Sequence, residues 1–171
     1  MNKLMLSQLT YFKRVSIPKY IESKIQMIAL KHLNMPDMGK LRDRMEGQLY
    51  YNKLRTDIVA EYAFECIIGK RNFNWEKREF KSFKRKKYIF DNKELNIISF
   101  ENENFPKIST EHVNNCVFVY VNIDNRILVS SLATKSYISE IAKKKSKIIE
   151  ITDFQDLIEF SSIDELISKM E

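Results

Sequence analysis

Apolar and polar positions alternate along this chain with two different periods, and the change of period marks its parts. From Pro18 onward Tyr20, Ile21, Ile25, Ile28, Ala29 and Leu33 recur at three- and four-residue intervals, the spacing of a helix that buries one side. A weaker stripe of Leu4, Leu6, Leu9, Tyr11 and Phe12 precedes it, so residues 2–33 read as helical. Pro18 suits a helix start, and Met35-Pro36 marks a stop. A short helix is expected over 40–51 and a second one from Thr56 or Asp57, either of which could cap it. In that second helix Ile58, Val59, Tyr62, Ala63, Cys66 and Ile67 make a broad apolar face, and Gly69 is placed to end it. Asp57, Glu61 and Glu65 lie four apart and share one stripe. Two accounts fit that stripe: a solvated helix edge, or a carboxylate aimed at a metal or a basic strand.

Beyond residue 87 the pattern changes to strands. Tyr88, Ile89 and Phe90 end one strand, Asp91 to Glu94 turns the chain, and Leu95, Ile97, Ile98 and Phe100 return it. Asn92 can take the positive φ such a turn uses. Cys116 to Ile123 is nearly all apolar, which predicts a central strand covered on both faces. Asp124-Asn125 reads as a turn into a strand over 126–130. A helix from Thr134 or Ser136 to Ala142, a short strand at 148–151 and a last helix from Ser162 or Asp164 complete the chain. The expected architecture is a mixed α/β core, with residues 1–52 as an N-terminal helical extension and 53–171 as the core.

Composition narrows the chemistry. At 171 residues with 44% hydrophobic and 30% charged residues, the chain is of ordinary globular make-up. It has no long apolar run and no leader pattern, so a cytoplasmic protein without a membrane partner is expected. Cys66 and Cys116 lack metal-ligand spacing and are expected to be buried, reduced thiols. His32 and His112 have no partner motif.

Charge is the more specific signal. The net charge is +6, and the segment from Arg71 to Lys87 holds eight basic residues against Glu76 and Glu79. That segment alone accounts for the whole excess, and a concentrated excess attracts phosphates more strongly than a dispersed one. Phe73, Trp75, Phe80 and Phe83 are interleaved with it. Lysine and arginine neutralise phosphates while aromatic rings stack on bases. The candidate nucleic-acid-binding residues are therefore Trp75, Lys81, Lys84, Arg85, Lys86 and Lys87. An edge strand with aromatics inward and lysines outward would give the same composition. From residue 150 the balance reverses, with seven acids against Lys169, so the surface is dipolar.

The order from Thr56, carried by TDIVAEYAFECIIG, VFVYVNIDNRILVSSLATKSYIS and IIEITDFQDLIEFSSIDELI, resembles the core of the PD-(D/E)XK restriction-endonuclease-like superfamily. The resemblance covers roughly residues 56–168. It implies a mixed central sheet flanked by helices, a helix glutamate matching Glu61, and a hairpin carrying an aspartate and then an acid-x-Lys pair. Aligned so, LNIISF puts Asn96 at the acid position, Ile98 at the lysine position and Ser99 at the small hydroxyl that follows, with no acid over 86–88. The resemblance thus implies a nuclease-like protein that binds nucleic acid, DNA before RNA, without metal-dependent hydrolysis, in phage or bacterial defence or counter-defence. Two other readings stay open. One is an active Mg²⁺-dependent endonuclease with a rearranged site, with Glu61, Asp91 and Glu94 as catalytic residues and Glu61 and Asp91 on the metal; Glu101 and Glu103 with Lys107 form a further carboxylate set. The other is a protein-interaction module in which the N-terminal helices or the acidic tail engage a partner; a homodimer through the N-terminal helices also stays open.

Overall fold

The computed structural model describes residues 7–34, 45–71, 74–75, 87–101, 104–110, 113–122, 126–142 and 147–171. A 3-10 turn at Leu9–Tyr11 leads into strand β1 (Lys13–Val15). Helices α1 (Lys19–His32) and α2 (Met45–Ile68) follow, then the hairpin of β2 (Lys87–Phe90) and β3 (Lys93–Phe100). The remaining elements are β4 (Lys107–Ser109), β5 (Asn115–Val121), β6 (Ile127–Ala133), α3 (Lys135–Ala142), β7 (Ile148–Glu150) and α4 (Ile163–Lys169).

The protein is mixed α/β. Five strands form a mostly antiparallel central sheet in the order β1-β6-β5-β3-β2, in which only β3 and β5 run parallel. β4 and β7 make a separate antiparallel pair. Every residue of β5 is buried, as its unbroken apolar run predicts, because both faces of the sheet are covered. Leu95, Ile97, Val117, Val119 and Val121 pack with Ile58, Ala63 and Phe64 of α2 and with α1. On the other face Ile98, Phe100, Cys116, Phe118 and Tyr120 pack with Phe12, Phe105, Ile138 and Phe154. The β5–β6 register slips between Val117 and Val119, and the Ser130 hydroxyl accepts the Phe118 N–H there at 2.8 Å.

Two local expectations change. Residues 13–15, expected to be helical, form an edge strand on β6, and α2 runs unbroken across residue 52. The N-terminal third therefore shares the sheet and its main helix with the rest of the chain. Thr56 and Asp57 look like helix caps because such side chains compete for backbone groups. Here they lie within α2 and bond across to β3 and the residue after it instead: Thr56 Oγ1 donates to Glu101, and Ser99 Oγ donates to Asp57 Oδ1 at 2.7 Å. Those cross-ties satisfy the polar side chains within the packed helix and remove the reason for a break. Gly69 does end the helix, at φ +68.

Candidate functional site

The candidate site lies where α2 crosses the β2–β3 hairpin. Ser99 meets Asp57, while Lys70, just past the end of α2, lines one cleft with Phe90 and Asp91. The helix therefore runs opposite to β3, with Asp57 at the far end of the strand and Gly69 near the hairpin turn. That turn has two residues, Asp91 at φ +47 and Asn92 at φ +65, a left-handed pair in which Asp and Asn are favoured. Phe90 and Lys93 pair directly across it.

The two helix glutamates are not on a solvated edge. Glu61 and Glu65 are only 5% and 6% exposed. They sit in the stripe Leu54, Ile58, Glu61, Glu65, Ile68, whose other members are apolar and buried. Asp91 is exposed in the turn. Glu94 accepts a 2.7 Å hydrogen bond from Asn114. Asp91 and Glu94 thus share the hairpin end, whereas Glu61 lies eight residues before Gly69, about 12 Å back along the helix axis. Among the described residues, no group of three or more His, Cys, Asp or Glu side chains is placed to hold a metal ion. Lys107 faces Glu150 across the β4–β7 pair at 3.8 Å, and Glu103 lies outside the described residues.

The aligned motif positions lie on the sheet face away from α2. Ile98, at the lysine position, is 2% exposed and packs with Phe100, Phe118 and Tyr120. Asn96 is two residues earlier on the same face, opposite Lys87 on one side and Cys116 on the other. The residues of β3 that face α2 are Leu95, Ile97 and Ser99. Lys93 is engaged elsewhere: its ammonium donates to the Ile167 and Met170 carbonyls at the end of α4.

Of the predicted nucleic-acid-binding residues, Lys81, Lys84, Arg85 and Lys86 lie outside the described residues, and Lys87 is described only as the first position of β2. Trp75 is partly buried and packs edge-on against Tyr62, with ring centroids 5.8 Å apart. Its carbonyl lies 3.2 Å from His32 Nε2. Its indole nitrogen is buried with no partner among the described residues. Tyr62 in turn is held to a high pKa, about 12, by burial and by a hydrogen bond with Cys66. Cys66 is exposed, contrary to expectation, because its place on α2 faces solvent beside Tyr62; Cys116 is buried, and neither thiol is in a disulfide.

The charge run leading from α2 into β2 and the glutamate stripe were legible as patterns. Asn115 was not. It is 1% exposed and uses both ends of its amide. Its Nδ2 donates to the Glu94 and Glu171 carbonyls, and its Oδ1 accepts the Lys135 and Glu171 N–H groups. That one side chain ties β3, the start of α3 and residue 171 together, and only the neighbouring run of apolar residues hinted that it was interior.

No protein-family model, curated protein or solved structure matches the chain.

Proposed function

We propose that this chain binds nucleic acid on a nuclease-like α/β fold and does not cut it. The observation that carries the reading is the second hairpin strand beside the charge run. Arg71 to Lys87 concentrates eight basic residues leading into β2, and β3, the strand paired with it, has no acid-x-Lys pair on either face. One face offers Leu95, Ile97 and Ser99, and the other offers Asn96, Ile98 and Phe100. An asparagine oxygen holds Mg²⁺ less strongly than a carboxylate, and isoleucine has no nitrogen to orient an attacking water. The one lysine of β3, Lys93, is spent on helix carbonyls. In this reading the phosphates follow Lys81, Lys84, Arg85, Lys86 and Lys87, DNA in preference to RNA, and no cofactor takes part.

The test combines binding and cleavage on one preparation: labelled single- and double-stranded DNA and RNA, in Mg²⁺, Mn²⁺ or EDTA, across a salt series. Contacts from those five basic residues would make affinity fall with salt at a log–log slope of about −4, and neutralising Lys84, Arg85 and Lys86 together would flatten it by about 3. No metal-dependent product is expected. Cleavage that needs Mg²⁺ and disappears in Glu61→Ala would establish the active-endonuclease reading instead. Salt-insensitive behaviour with no binding would turn attention to a protein partner of the N-terminal helices.

A further inference from the structure

The two edges of the central sheet are finished differently. At the β1 edge Lys13 and Arg14 are exposed, and charged side chains at an edge discourage further pairing. At the β2 edge the middle residue is Ile89, 66% exposed. Among the described residues β2 pairs with β3 only.

The phase of the hairpin sets which backbone groups face outward. A two-residue turn closes on a hydrogen-bonded pair, here Phe90 and Lys93. Bonding then alternates, so Phe90 and Tyr88 direct their N–H and C=O groups to β3, while Ile89 and Lys87 direct theirs away from the sheet. The outward donor and acceptor of Ile89 are thus in position for another strand.

Within β2, Tyr88-Ile89-Phe90 places an aromatic residue on each side of the exposed isoleucine, so the segment matches itself when reversed. Laid antiparallel on a second copy with Ile89 at the centre, Ile89 meets Ile89 and Tyr88 meets Phe90. Aromatic pairs are favourable cross-strand partners. The same edge borders a cleft of about 490 Å³ whose lining includes Tyr88, Ile89 and Phe90 of β2 and Ile163 and Ile167 of α4. In this register the incoming Phe90 stands beside Tyr88 on that face of the sheet, next to the apolar side of the cleft.

We propose that two copies of the chain associate through the β2 edges, antiparallel and centred on Ile89, to form one continuous ten-stranded sheet with twofold symmetry. The contact is isologous, since each copy presents the same segment, and it closes after two copies. It pairs an edge that no described strand covers, and an unpaired edge is open to uncontrolled association. The proposal is independent of nucleic-acid binding, and it places the seam at the hairpin rather than at the N-terminal helices.

The test is the molar mass of the full chain in solution, by light scattering and by sedimentation over a concentration series. Wild-type protein should weigh twice the 20.4 kDa chain. Ile89→Pro removes only an N–H that β3 does not use, and proline is tolerated on edge strands, so this variant should remain folded by circular dichroism and become monomeric. Ile89→Lys should do the same, and Ile148→Lys, at an isoleucine 60% exposed on β7, should leave the dimer intact. A register check uses Ile89→Cys in a Cys66→Ser background. Facing positions in a hydrogen-bonded antiparallel pair lie about 5.5 Å apart, within disulfide reach, so mild oxidation should link two chains, which Ile148→Cys in that background should not. A wild-type monomer at all concentrations, or a dimer that survives both Ile89→Pro and Ile89→Lys, overturns the proposal.

Discussion

The two faces of the central sheet are built from different materials. The face under α2 is aliphatic, with Leu95, Ile97, Val117, Val119 and Val121 set against Ile58, Ala63 and Phe64, and it is crossed by polar ties from the helix to β3. The opposite face is aromatic. Phe154 lies within 4.9 Å of Phe12, 5.7 Å of Phe118, 6.3 Å of Phe100 and 6.4 Å of Phe105, measured between ring centroids. The motif positions of β3 fall on the aromatic face, where Ile98 does the work of packing. The carboxylates of α2 fall on the other. The comparison teaches that strand alternation alone separates the two halves of the expected site, because residues one apart on β3 face opposite sides of the sheet.

The strongest challenge to this contrast is to restore a lysine. Ile98→Lys places an ammonium among Phe100, Phe118 and Tyr120, and a buried unpaired charge there should cost on the order of 5 kcal/mol. The variant is expected to unfold at much lower denaturant and to gain no nuclease activity, even combined with Asn96→Asp. A folded, Mg²⁺-dependent nuclease from that pair would show that Ile98 faces an active site and not a core.

Phe154→Ala tests the aromatic face as a packing unit. Loss of one ring from a cluster of five should destabilise the chain by about 3–5 kcal/mol, read as a lower chemical-denaturation midpoint. Nucleic-acid affinity of the protein that remains folded should be unchanged.

Ser99→Ala tests the polar ties of the helix face. It leaves Asp57 without its 2.7 Å donor in a half-buried position, at a cost of about 1–2 kcal/mol. A loss as large as that of Phe154→Ala would erase the contrast.

The smallest effect lies at the surface, on α4. Hydrogen bonds from Lys169 and from Ser161 hold the Glu165 carboxyl down to about 2, against an ordinary 4.5. Its folded value is depressed, so its contribution to stability is present above pH 4.5 and is lost as the pH falls from there towards 2. Lys169→Met should move the carboxyl midpoint upward in an NMR titration without altering either core. An unmoved midpoint would break the assignment.

Much of the architecture was readable residue by residue. The unbroken apolar run of β5 predicted a strand covered on both faces, Asn92 was suited to a positive φ in a turn that proved two residues shorter than expected, and Gly69 had the conformational freedom to end α2. These are local properties, set by side-chain shape and by backbone sterics within a few residues. The charge run was equally plain, since it needs only counting. What tertiary structure decided was every question about partners distant in the chain. Thr56 and Asp57 read as helix caps until Ser99 of β3 and Glu101 just beyond it bonded them within the helix. Residues 13–15 carry no strong signal and became a strand because the edge of β6 was available to pair with them. Glu61 and Glu65 have the spacing of a solvated edge, and only the packing around α2 buried them. A periodicity specifies which residues share a face. What that face meets depends on the rest of the fold, because burial and hydrogen bonding belong to pairs of surfaces rather than to one segment.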